Sequence, residues 1–253
     1  MIDFTIERYK DLLQALIANN YNFQTFEEFI QKPHKRAVIL RHDVDLLPEN
    51  SLLFARIQKS LGIKGSYYFR AVPESWDQKI IQEIASLDHE IGYHYECLTT
   101  TSGNLKAGIK NFEKNLSLLR ELAPVSTICM HGSPMSKYDS KDLWKTYRYQ
   151  DYDIIAEPYF DVDYNTVFYI TDTGRRWDGH KYSVRDRVNT KFTQTYHTTS
   201  QIIGSLNNTS FPSQTMFTFH PQRWNDNLMK WSKELVVQNV KNCLLYTSDA
   251  ADD

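Results

Sequence analysis

Asp43 and Asp45, His94, His131 and His220 each sit at or just past the C-terminal end of a stretch that reads as a strand. Carboxylate and imidazole together form a donor set that suits Zn²⁺ or a similar divalent ion. The same groups move protons: an Asp takes one from a water, and a His gives one to a departing nitrogen. A bound ion would make that water acidic and polarise a carbonyl, so the chemistry the residues point to is metal-assisted hydrolysis. Asp43 and Asp45 are two apart, which in extended backbone puts both carboxylates on one side. His42 then faces the other way, whereas Arg41 shares the face of Asp43 and is placed to orient it. Glu96 stands on the same side of an extended strand as His94 and is a further candidate ligand. Each residue also has a plainer reading. The Asp pair would cap the helix that opens at Pro48, Glu96 would be a solvated residue, and Cys97 and Cys129 would be small buried hydrophobes. Asp172 and Trp177 would be turn and packing residues.

The elements that must bring these side chains together alternate. Ala37 to Leu40, Gly65 to Phe69, Glu90 to His94, Thr127 to His131 and Thr215 to Phe219 read as buried strands, being short and rich in β-branched and aromatic residues. Between them, Pro48 to Leu61, Trp76 to Leu87, Leu105 to Leu122 and Thr198 to Leu206 read as helices, with a short one near Ser140 to Tyr147 and a last one from about Asn225 to Cys243. Leu12, Leu13, Leu16 and Ile17 mark an initial helix over Glu7 to Ala18, and Thr25 caps a short helix to Gln31. The stretch from Tyr149 to Tyr182 is less regular, with strands expected at Asp153 to Ala156 and Val167 to Thr171. Strict alternation implies parallel strands with right-handed crossovers, hence a barrel or a doubly wound sheet. In either, the candidate residues gather at the C-terminal edge, where active sites of such folds lie.

These motifs resemble the polysaccharide deacetylases, the NodB-homology group of carbohydrate esterases. The likeness rests on Arg41-His-Asp-Val-Asp45 as an Asp-pair motif, Glu90-Ile-Gly-Tyr-His94 as Glu-Ile-Gly-x-His, and Phe219-His220-Pro221 as the His that closes a late strand. Asp172 to Asp178 is similar, more loosely, to the Asp/Trp motif that lines an acetyl pocket. The resemblance spans roughly Val38 to Pro221 and implies a distorted (β/α) barrel of about seven strands. It further implies Asp43 as general base, Asp45 and His94 as metal ligands, His220 as general acid, and Arg175, Trp177 and Asp172 at the substrate. The roles of Asp43 and Asp45 are exchangeable, because Val44 separates a pair that is usually adjacent. The family's second metal His falls four residues after the first, where this chain has Leu98, so the missing ligand is expected from Glu96 or His131. The family's Arg-x-Pro-Tyr loop is also absent: His131-Gly-Ser-Pro134 stands in that region, and Arg175 or Arg176 is the candidate replacement for its Arg.

The chain has 253 residues, 41% hydrophobic and 24% charged, enough apolar material for one large core. A single domain over residues 1–243 is the expectation. Residues 245–253 share none of the preceding periodicity and read as a non-native tail. With a net charge of −2 and no basic stripe, nucleic acid is not an expected partner. No basic region leads into an apolar run at the amino terminus, and no stretch approaches the ~18 apolar residues of a membrane span, so a cytoplasmic location is expected. The three cysteines, Cys97, Cys129 and Cys243, are then reduced thiols. The leading expectation is a Zn-dependent hydrolase, with Co or Mn as other possible ions, that removes an N-acetyl group from an amino sugar of a surface polysaccharide or glycolipid. A metal-free hydrolase of another non-peptide C–N bond, an inactive carbohydrate-binding homologue and a two-carboxylate glycosidase are the alternatives. Tyr93, Tyr95, Tyr159 and Trp177 are candidates to stack on a sugar.

Overall fold

The computed structural model describes residues 2–133, 136–178 and 187–249, with side chains as far as Cys243. Pro134, His180, Tyr182 and residues 250–253 of the expected tail lie outside the described residues. The strands are β1 (Asn22–Gln24), β2 (Ala37–Val44), β3 (Ser66–Phe69), β4 (Glu90–Tyr95), β5 (Ile128–Met130), β6 (Phe168–Thr171) and β7 (Gln214–Phe219). Around them stand α1 (Ile6–Ala18), α2 (Phe26–Gln31), α3 (Pro48–Ser60), α4 (Gln78–Ser86), α5 (Cys97–Thr100), α6 (Leu105–Arg120), α7 (Pro158–Asp161), α8 (Thr199–Asn207) and α9 (Leu228–Asp249). The spatial order is β5-β4-β3-β2-β7-β6, with β1 against the start of β2 and every pairing parallel. The sheet curls into a half-barrel flanked by helices, the distorted (β/α) barrel of about seven strands that the resemblance implies.

β2 is buried along its whole length because it has neighbours on both edges and cover on both faces. Val38 and Leu40 join the large core beneath the helices, whereas Ala37 and Ile39 join a smaller cluster with Tyr68, Cys129 and Met216 inside the curl. Period-two alternation then puts Arg41 and Asp43 on the inner face and His42 on the outer one. There His42 meets Tyr9 of α1 and Gln58 of α3, and burial lowers its pKa to about 3. It is a neutral core residue, as its position on the strand implied.

Register aligns the strand ends. Val44 pairs with Phe69, Phe69 with Tyr93 and Tyr93 with Ile128, so the next residue of each strand, Asp45, Arg70, His94 and Cys129, reaches one level at the rim. Gly92 permits this packing: a Cβ there would fall 2.3 Å from the ring of Tyr68, a buried side chain hydrogen-bonded to Thr127. The helices begin where their polar residues dictate. Thr25 with Glu28 and Thr198 with Gln201 form capping boxes, and the Asp77 side chain caps α4.

Two elements differ from expectation. The strand expected over Asp153 to Ala156 contracts to one parallel bridge between Thr127 and Ala156, at the start of β5. α9 runs past Cys243 to Asp249, so the helix does not stop where the 245–253 segment was expected to begin. Among its described side chains the buried ones, Gln238 and Asn242, are polar, and the Asn242 amide donates to the Gly174 carbonyl at 3.0 Å. Met229 and Val236 point to solvent.

Candidate metal centre and proton-transfer groups

Asp43, Asp45, His94, His131 and His220 meet at the C-terminal mouth of the half-barrel. Asp45 follows the end of β2, where the chain turns so that its N–H donates to the Asp43 carbonyl at 3.1 Å. Both carboxylates still face His94: its Nε2 lies 3.6 Å from Asp43 Oδ2 and 3.7 Å from Asp45 Oδ1. His131 Nε2 approaches the same Asp45 oxygen at 3.4 Å. One donor atom from each of Asp45, His94 and His131 lies within 4.8 Å of the other two. Tetrahedral donors at Zn²⁺ bond lengths of about 2.0–2.1 Å stand roughly 3.3 Å apart, so a small relaxation would close this trio on an ion. A second trio, Asp43, His94 and Cys129, is wholly buried and shares His94.

The proton inventory favours a cation between the first three. His94 Nδ1 lies 2.9 Å from the Cys129 carbonyl, which only accepts, so that nitrogen carries the hydrogen and Nε2 presents a lone pair. Burial, and then His131, hold the His94 pKa well below its ordinary value, which keeps the ring neutral. Asp45 Oδ1 is buried and has no hydrogen-bond partner among the described residues. Burial opposes ionisation of Asp45, but the imidazoles of His131, His220 and His94 outweigh it and hold the carboxyl below its usual range. A buried, ionised oxygen without a donor is costly unless a cation compensates it.

Asp43 is held differently. Arg41 grips it with two hydrogen bonds, Nε to Oδ1 at 2.8 Å and Nη2 to Oδ2 at 2.6 Å, both groups being buried. Neither Asp caps α3, whose cap residue is Leu47 without a side-chain hydrogen bond, so the capping reading of the pair falls. His220 sits at the end of β7. Its Nδ1 lies 2.6 Å from Asp172 Oδ1 and its Nε2 lies 3.8 Å from Asp45 Oδ2. Burial and Arg223 depress its pKa, but the charge and hydrogen bond of Asp172, with Asp45, prevail and raise it.

The remaining expected residues occupy other places. Glu96 does not face the trio: β4 ends at Tyr95, and the Glu96 backbone, at φ −140° and ψ 35°, leaves the extended conformation, so alternation with His94 no longer applies. Its carboxylate pairs with Arg70 at 2.7 Å and with His131 Nδ1 at 3.1 Å. Burial alone would raise its pKa, but the hydrogen bond and charge of His131, together with Arg70, bring it down to about 2. Asp172 is fully buried and receives the His220 N–H, Arg223 and the Trp224 indole, so it positions His220 and cannot line a substrate pocket. Trp177 is core: its indole donates to Thr199 and its ring packs on Phe4, Phe217 and Trp224. Arg175 points away from the mouth, stacks on Trp231 at 4.2 Å and donates to the Trp231 carbonyl of α9. Arg176 pairs with Asp178. The guanidinium that serves the Asp pair is therefore Arg41, and neither Arg175 nor Arg176 replaces it.

Leu98 is buried in α5 against α6, where a Cβ on Gly108 would lie 2.8 Å from its Cδ2. That position packs helices together. Arg70 was missed in the sequence although it directly follows the end of β3, at the level of His94. Glu157 was missed as well. It is wholly buried, its carboxylate accepts from the N–H groups of Met130 and Tyr159, and burial raises its pKa to about 7. Beside His131 a groove of about 520 Å³ opens between Arg70, Thr99, Ser136, Lys137 and Tyr138, room enough for a sugar ring.

No family model and no curated protein matches the chain. Among solved structures it is similar to a family 4 carbohydrate esterase pseudoenzyme from Bacillus anthracis, at 13% identity over 83% of this chain and 61% of that one, with a TM-score of 0.44. The chain thus spans about three fifths of that protein's length. It is also similar to a mutant of the peptidoglycan deacetylase PdaC from Bacillus subtilis, at 11% identity over 83% of this chain and 98% of that one, TM-score 0.41. A family 4 carbohydrate esterase from Bacillus anthracis is similar at 12% identity over 92% and 96% of the two chains, TM-score 0.39.

Proposed function

We propose that the protein is a metal-dependent hydrolase of non-peptide C–N bonds that removes an N-acetyl group from an amino sugar of a surface polysaccharide or glycolipid, acting in the cytoplasm. The observation that carries the reading is the unpartnered Asp45 Oδ1, set among the imidazole nitrogens of His94 and His131. Those three residues would hold the ion, with Zn²⁺ favoured by the donor set and Co²⁺ or Mn²⁺ also suited. A divalent ion there supplies Lewis acidity to the attacking water and to the acyl carbonyl.

The chain's own groups do the rest. Asp43, its charge compensated by Arg41, accepts the proton of the attacking water. His220 directs its Nδ1 hydrogen to Asp172, and the pKa raised by that carboxylate favours the doubly protonated ring, whose Nε2–H faces the mouth and delivers its proton to the leaving nitrogen. The groove beside His131 receives the sugar.

The test is metal content and turnover of an N-acetylated amino-sugar oligomer by purified protein, with and without chelation. Expected outcomes are bound divalent ion, loss of activity on chelation and recovery with Zn²⁺, Co²⁺ or Mn²⁺. Asp43→Asn should lower kcat by about 10²–10⁴ while leaving metal content intact. Protein free of metal that gains nothing from added ions would sink the reading.

A further inference from the structure

His131 is steered from behind by a carboxylate that the proposed reaction does not itself use. We infer that Glu96, held by Arg70 and assisted by Ser133, is a positioning residue that fixes His131 as the Nδ1–H tautomer and so keeps its Nε2 lone pair free for a divalent ion. The inference rests on the reading of Asp45, His94 and His131 as a cation site and assigns that site its support.

Hydrogen bookkeeping at Nδ1 carries the argument. Glu96 Oε2 lies 3.1 Å from His131 Nδ1, and a carboxylate can only accept. Ser133 Oγ lies 2.9 Å from the same nitrogen, and its hydroxyl hydrogen is directed to Glu96 Oε2 at 3.2 Å, so toward His131 it accepts as well. Facing two acceptors, Nδ1 must carry the hydrogen. The lone pair of the neutral ring then sits on Nε2, 3.4 Å from the unpartnered Asp45 oxygen.

Without Glu96 the preference would reverse. Asp45 Oδ1 would become the strongest acceptor near the ring, and Nε2 would carry the hydrogen toward it. A proton would then occupy the place of the cation, and an incoming ion would have to displace it. Arg70 makes the arrangement stiff, because Nε and Nη2 hold Glu96 while Nη1 reaches the Asp45 carbonyl at 3.3 Å. One guanidinium thus ties the support of one ligand to the backbone of another. The device belongs to the ligand drawn from β5, since the α5 position of Leu98 is given to packing.

Two readouts on the full chain, stripped of metal, test this. Long-range ¹H–¹⁵N NMR at pH 7.5, with the signal assigned by its loss in His131→Gln, reports the tautomer; calorimetry with Zn²⁺ reports affinity. Wild type should show Nδ1–H. Glu96→Ala should move His131 toward Nε2–H and weaken Zn²⁺ binding by about 10–100-fold, the range for loss of an outer partner of a metal-bound His. Glu96→Gln, whose amide oxygen accepts the same hydrogen, should retain the tautomer and most of the affinity. If Glu96→Ala does not fold, Arg70→Met takes its place: it frees the carboxylate without removing it, and should give a tautomer mixture with binding weakened several-fold. A wild-type His131 already in the Nε2–H form, or a folded Glu96→Ala (or Arg70→Met in its place) that keeps both tautomer and affinity, overturns the inference. Wild type that binds no Zn²⁺ overturns instead the reading of the cation site, while the NMR result still decides the role of Glu96.

Discussion

His220 is tuned by a residue that no substrate can touch. Asp172 accepts from its Nδ1 and raises its pKa against the opposing effects of burial and Arg223. A general acid must be protonated, so kcat/KM should fall as pH rises through that raised value. Removing the charge with Asp172→Asn should move this alkaline limb to lower pH by about one unit or more, the size expected for loss of a neighbouring opposite charge. A pH–rate profile checks it, and an unmoved limb would show that Asp172 does not set the acid. Asp45→Ala should abolish Zn²⁺ binding measured by calorimetry, whereas Asp43→Asn should retain it. That pair of results would settle which carboxylate is ligand and which is base, an ambiguity the spacing left open.

The elements explain why two of the motif positions are as they are. Gly92 admits the Tyr68 ring, which is buried and cannot retreat, so Gly92→Ala should cost about 1–3 kcal/mol of stability in urea unfolding. Leu98→His should not create a metal ligand. The side chain at that position faces Gly108 of α6, and a polar ring there should lower Tm without raising Zn²⁺ affinity; tighter binding would contradict the packing. The strand ends were legible in the sequence because apolar runs stop abruptly at Arg41, His94, His131 and His220, and parallel topology sends all such ends to one edge. Glu96 was not, because a strand-face rule holds only while the backbone stays extended, and here it turns one residue earlier. Trp177, Asp172 and Arg175 were misplaced for a related reason: after β6 no period constrains the chain, and a motif likeness cannot tell a buried side chain from one that faces the mouth.

At the scale of the whole molecule, the described residues contain no helix long and apolar enough to cross a membrane. One buried acid links the fold to pH. Glu157 has a folded pKa of about 7 against an ordinary value of 4.5, so between these the folded state holds an extra proton. Its stabilising contribution is complete below about pH 4.5 and is lost as pH rises through about 7. Glu157→Gln should therefore flatten the stability curve across that window, by on the order of 2–3 kcal/mol, in denaturant titrations at several pH values. A difference curve without slope there would refute the assignment.

α9 is fastened by the Asn242 amide, which Gln238 supports from within the helix, and by the Arg175 guanidinium, while its valines look outward. A clasp of that kind draws little from the exclusion of water, and denaturants that solvate amide groups should undo it early. Hydrogen exchange at low urea should then find this helix opening while the strands stay protected, leaving the mouth and its side chains undisturbed.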